Sequence, residues 1–176
     1  PTTLIYQAFS VWQWWNYVRS QVSPDKGVLR INMDETSICL HQCGSKGNVF
    51  IDKRRMRNEP VDSVPLAKRR CYLTHVAFIC DRSDIQPKLP QLIIGNEATF
   101  LASALPALQA ACPTNVHLIR QKSAWNNAAR CAESMKLLGA ALVPHVAALQ
   151  PVLMFDAANV HVPTAVFQAC TKAGIW

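Results

Sequence analysis

The chain is 176 residues long, half of them apolar and 16% charged, with 18 Lys and Arg against 11 Asp and Glu for a net charge of +7. This balance excludes a disordered, coiled-coil or collagen-like chain, and the length suits one domain with a real core. No apolar run reaches the roughly 18 residues of a membrane span, so a soluble protein without a membrane partner is expected.

Periodicity predicts a helix over 6–22, where Phe9, Trp12, Trp14, Trp15, Tyr17 and Val18 supply an apolar face with extra aromatics, most simply for packing. The turn residues 23–27 end it. Residues 28–33 read as a strand running into Asp34-Glu35-Thr36-Ser37 and then Ile38-Cys39-Leu40. After Gly44 and Gly47, residues 48–51 read as a second strand, which makes a hairpin. Residues 52–70 form a basic loop punctuated by proline. Further strands are expected over 71–80, 91–95 and 115–119. A helical stretch over 97–111 would be kinked or split by Pro106. The period over 126–142 is helical, with Ala129, Cys131, Ala132, Met135, Leu138 and Leu142 as buried positions. Residues 151–155 are apolar on both faces, as in a central buried strand. A last helix is expected over 163–172. The chain thus divides into a helical lead-in, 1–27, and a core over 28–176, and its two ends read as those of a fragment of something longer.

Charge is concentrated between Lys46 and Arg70, a stretch with eight bases and three acids. Such a field suits a polyanion, most often nucleic acid, and equally a solvated loop on a basic protein. Lys53, Arg54, Arg55, Arg57, Lys68, Arg69 and Arg70 are the candidates for DNA phosphate contacts, and their composition is close to that of a nuclear-import signal. Seven cysteines without framework spacing favour reduced thiols and an intracellular location. Cys39, His41 and Cys43 lie close together, but no second pair completes the four ligands of a zinc site.

Two acids stand at the ends of apolar strand patterns, Asp34 after 28–33 and Asp156 after 152–155. A carboxylate at the mouth of a buried strand is costly unless paired, hydrogen-bonded or metal-bound. Were the two strands neighbours, both carboxylates would converge on a point suited to magnesium. Each Asp alternatively caps the turn or helix that follows.

The segment Ile31-Asn32-Met33-Asp34-Glu35-Thr36-Ser37 resembles the first catalytic block of DDE-superfamily transposases of the mariner/pogo type, a strand ending in Asp followed by Glu-Thr. Val152-Leu153-Met154-Phe155-Asp156-Ala157-Ala158-Asn159-Val160-His161 resembles the second block. Between them, Ser123-Ala124-Trp125-Asn126 is similar to the family's small-residue–Trp motif. The resemblance spans about residues 28–172. It departs from the family at Ala157, where Asn is usual, and no Asp or Glu follows Asp156, so the third acid of the family is absent from this chain.

The resemblance implies an α/β, RNase H-like mixed sheet flanked by helices and C-terminally incomplete, with its first and fourth strands adjacent and parallel. It implies two-metal phosphoryl transfer on DNA with Mg²⁺ or Mn²⁺, in which Asp34 bridges the ions and Asp156 holds one. Glu35 is then a neighbouring support. His161 orients Asp156, touches DNA or is a surface residue. A nuclear location in a eukaryote, and a homo-oligomer in the full-length parent, are expected with it. With the third acid missing, the fragment itself is expected to be inactive. The rival reading is a transposase-derived DNA-binding or scaffold protein without chemistry.

Overall fold

The computed structural model describes residues 2–39 and 72–176. In chain order these form α1 (Thr2–Gln21), β1 (Gly27–Cys39), β2 (Tyr72–Cys80), β3 (Gln91–Asn96), α2 (Leu105–Ala111), β4 (Val116–Gln121), α3 (Ala128–Leu142), β5 (Leu149–Met154) and α4 (Thr164–Lys172). The fold is α/β. Five strands make one mixed sheet in the order β4-β3-β2-β1-β5. β1 and β5 are parallel, β2 and β3 antiparallel, β3 and β4 parallel. The first strand is therefore parallel to the last, as the sequence predicts. The strand expected over 48–51 lies outside the described residues.

The chain groups into two compact units, one comprising Pro1–Asp34, Ala77–Pro90 and Asn127–Trp176, the other Glu35–Val76 and Gln91–Asn126. In the first unit β1 follows a period of two: Leu29, Ile31 and Met33 are buried, while Arg30, Asn32 and Asp34 are exposed. The buried residues of this unit also include Phe78 and Leu153, the latter level with Ile31, and one stripe of α3, Cys131, Met135, Leu138 and Leu142. That stripe recurs every three to four residues, which is why the segment is a helix with one face inward. Asn127 caps it, its side chain accepting from Arg130 N at 3.0 Å.

β5 is an outer strand of the five rather than the central one its apolar run predicts. Its free edge is covered by the chain's own last residues. Trp176 N donates to Pro151 O at 3.0 Å, and Leu153 N donates to Trp176 O at 2.7 Å. Among the described residues the strand thus has β1 on one side and the backbone of Trp176 on the other. α4 ends at Lys172, and Gly174 just beyond it has a φ of 67°, the left-handed conformation that releases a chain from a helix.

α1 also departs from expectation. Only Trp15 and Val18 are covered, whereas Trp12 is 61% exposed and Phe9, Trp14 and Tyr17 are exposed too. Trp15 receives the Arg30 guanidinium 5.6 Å from its ring centroid. Arg30 Nε in turn donates to Asp81 Oδ2 at 2.6 Å, and Asp81 N donates to Arg30 O at 3.2 Å. Thus the early part of β1 is tied at once to the turn after β2 and to the end of α1.

In the second unit Leu92 and Ile94 of β3 are buried with Val76 and Phe100. The Phe100 ring occupies the space beside Gly95, where a Cβ would meet it at 2.6 Å. Pro106 sits in the first turn of α2 instead of kinking a longer helix, because a first-turn proline gives up no helical hydrogen bond. Among the described residues no helix is long and apolar enough to cross a membrane.

Candidate functional site

The parallel ladder between β1 and β5 pairs Gly27 with Leu149 and runs in step to Asn32 with Met154. Asp34 and Asp156 each follow that last pair by two residues. In a parallel ladder residues level with one another share a face, and a two-residue step returns to it. Asp34 accordingly shares the exposed face of β1 with Arg30 and Asn32.

The two acids differ in backbone setting. β1 does not end at Asp34 but continues to Cys39, where Thr36 and Ile38 favour extended chain although the in–out alternation is lost and residues 36–38 are all exposed. β5 stops at Met154, and Asp156 lies in the loop beyond it. Neither carboxylate is buried; the Asp156 side chain is 67% exposed. The desolvation cost that the apolar flanks predict is therefore not incurred, since both groups stay in contact with solvent.

Asp156 is held in place by its own loop. Its Oδ1 accepts from Ala158 N at 3.1 Å and from His161 Nδ1 at 2.6 Å, and His161 N donates to Ala158 O at 2.8 Å. A carboxylate only accepts, so His161 carries its proton on Nδ1. The imidazole is 1% exposed and meets the Phe155 ring edge-on at 5.4 Å, with Phe167 6.4 Å beyond Phe155. Of the readings open for His161, the structure supports the positioning one and excludes a surface residue. The Ala158 N–H, and after it His161, hold the Asp156 carboxyl below the usual carboxylate range.

His161→Ala is expected to raise the Asp156 pKa toward the ordinary value without reaching it, since the Ala158 N–H remains. Carboxyl NMR titration in EDTA checks this. The folded-state pKa is depressed, so the carboxylate's contribution to stability is present above the unfolded value and lost as pH falls through the folded one. Loss of the buried ring should itself cost roughly 2 kcal/mol or more in denaturant unfolding.

Glu35 belongs to the second unit. It accepts from the Asn126 side-chain amide, while Gln121 Nε2 donates to Trp125 O. The contact joins the Asp34-Glu35 segment to the Ser123-Ala124-Trp125-Asn126 segment, 91 residues apart in sequence. No local pattern announces it, and none announces the Arg30–Asp81 pair, separated by 51 residues.

The donor set of Asp34 and Asp156 suits a hard cation, which is held through one or two carboxylates together with water and substrate phosphate. Among the described residues no group of three or more His, Cys, Asp or Glu gathers to hold a metal ion. Two carboxylates do not by themselves make the larger set of a two-ion centre. Lys53, Arg54, Arg55, Arg57, Lys68, Arg69 and Arg70 lie outside the described residues, as do His41, Cys43 and the Cys39 side chain. No family model matches the chain, and neither a curated protein nor a solved structure matches it.

Proposed function

We propose that this chain is the partial catalytic core of a mariner/pogo-like DDE transposase, or of a protein derived from one, with an RNase H-like fold that acts on DNA phosphates. One observation carries the reading. β1 and β5 are parallel neighbours in step, so that Asp34 and Asp156 follow the same register pair at the same interval. The two blocks are offset by 122 residues along the whole ladder, and a shared interval after its last pair is what acids that work together require.

Asp34 and Asp156 would hold one Mg²⁺ or Mn²⁺ ion. When bound, the ion supplies Lewis-acid polarisation of a phosphoryl oxygen. The chain's own residues do the positioning. His161 and the Ala158 N–H fix one oxygen of Asp156 and keep that group ionised. Glu35 engages Asn126 and acts as a support, not a ligand. The basic segment 53–70 contributes phosphate contacts that orient duplex without reading bases.

A second reading, a DNA-binding or scaffold protein without chemistry, is favoured by Ala157 in place of the family's Asn and by the absence of a third metal-holding acid among the described residues. Mn²⁺ titration followed by water-proton relaxation tests the metal site. Wild type should show one weak, saturable ion, lost in Asp34→Ala and in Asp156→Asn, the latter keeping an amide oxygen to accept from the buried His161. Identical titrations for all three proteins would remove both acids from any shared site. Strand cleavage should stay undetectable for the fragment alone; metal-dependent nicking would show that the active site is misplaced.

A further inference from the structure

In the second unit a cavity of about 470 Å³ is lined by Ser37, Tyr72, Thr74, Lys122, Ser123 and Trp125 among others, with no carboxylate among the described lining residues. Its volume lies within the roughly 300–1,000 Å³ of small-ligand sites. Its chemistry is unusual for the outside of a protein. The Trp125 indole is 72% exposed and Tyr72 is 43% exposed, so two aromatic faces border one hollow. Lys122 lines the same hollow and brings an ammonium group to it. Ser37 and Ser123 are exposed and supply hydroxyls.

The backbone beneath Trp125 is anchored. Gln121 donates to Trp125 O, Asn126 to Glu35, and Asn127 accepts from Arg130 N at 3.0 Å. An exposed indole on an anchored loop pays its ordering cost before any ligand arrives. Packing does not explain the arrangement, because the ring is mostly in solvent.

We propose that this cavity binds one unstacked nucleotide of DNA, with its base against Trp125 and Tyr72 and its phosphate at Lys122. Aromatic rings take a base through its π-face, whatever its identity, and an ammonium on the same wall takes the adjoining phosphate. A base within a continuous duplex is stacked on both sides and cannot enter; single-stranded or unpaired nucleotides can. The inference deepens the DNA-processing reading and rests on it for the choice of ligand, but it does not use Asp34, Asp156 or a metal.

Binding is measured in EDTA by fluorescence anisotropy with three probes of equal length: a single strand, a blunt duplex, and a single strand whose central residues are abasic. Stacking is worth about 1–3 kcal/mol per base, so Trp125→Ala should weaken single-strand binding by roughly 5- to 100-fold. Trp125→Phe should retain most of it, and duplex affinity should not change. The abasic strand should bind wild type as weakly as the normal strand binds Trp125→Ala, although its charge is the same. Lys122→Ala should reduce the salt dependence of single-strand binding by about one phosphate. Asp34→Ala, which removes Mn²⁺ binding under the functional proposal, should bind the single strand like wild type. Equal affinity of Trp125→Ala and wild type for the single strand, or of the normal and abasic strands for wild type, overturns the nucleotide site. Failure of Mn²⁺ titration with the Trp125 effect intact overturns the metal reading alone.

Discussion

Replacing Arg54, Arg55 and Arg57 together with alanine should flatten the salt dependence of DNA binding by up to about three units of log–log slope. Each phosphate neutralised by a basic side chain releases condensed counterions, and the observed constant changes by a slope of roughly −0.9 per phosphate on duplex DNA. The affinity loss should therefore be greatest at low salt and shrink as salt rises. It should be alike for unrelated duplex sequences, because phosphate contacts carry no base information. Electrophoretic shift or anisotropy over a series of salt concentrations measures the slope directly. Binding that is absent or insensitive to salt would make the segment a solvated surface or an import signal and would leave the acid pair without a substrate-holding partner.

The second large effect concerns the contact of α3 with α4. Gly139 is buried, and a Cβ built on it would lie 2.6 Å from Ala173 Cβ. Two opposing contributions act at this position. Alanine is better than glycine within a helix by up to about 1 kcal/mol. Forcing a methyl group into a filled contact costs about 1–3 kcal/mol, because α4 must move away. The steric contribution wins, so Gly139→Ala should lower stability, and Gly139→Val should lower it further. At this chain length each kcal/mol moves the thermal midpoint by roughly 2–4 °C. Ala173→Gly in the Gly139→Ala background should recover most of the loss, since it removes the atom that clashes; a double-mutant cycle isolates this coupling. Stabilisation by Gly139→Ala alone would show that the two helices do not meet at this point.

The two effects act on different parts of the molecule. The first removes charge from a segment whose contribution rests on composition, and the second disturbs the core that supports β1 and β5. Core damage reaches the acids through the strands. Leu29, Ile31 and Met33 alternate with Arg30, Asn32 and Asp34, so a shift of β1 by one residue would exchange the buried and exposed sets. The register that pairs Asn32 with Met154, two residues before each acid, is thus maintained by burial on the opposite face.

The elements themselves were legible in the sequence wherever local periodicity carried them. The alternation along 28–33, the three-to-four spacing from Cys131 to Leu142, and the apolar runs over 72–80 and 91–95 each record which side of the chain is shielded from water. The two acids were legible as well, through the blocks around them. Partnership was not legible. The β1–β5 ladder, the Arg30–Asp81–Trp15 contact and the Glu35–Asn126 bond join residues far apart in sequence, and no periodicity specifies which distant groups will meet. The position of β5 was misjudged for the same reason, because an apolar run reports burial without saying whether strands, helices or the chain's own terminus provide it. Local periodicity therefore determined the elements. Only tertiary structure decided that Asp34 and Asp156 stand in step and that His161 is buried against its acid, because hydrogen-bonded register and side-chain burial are properties of neighbours in space.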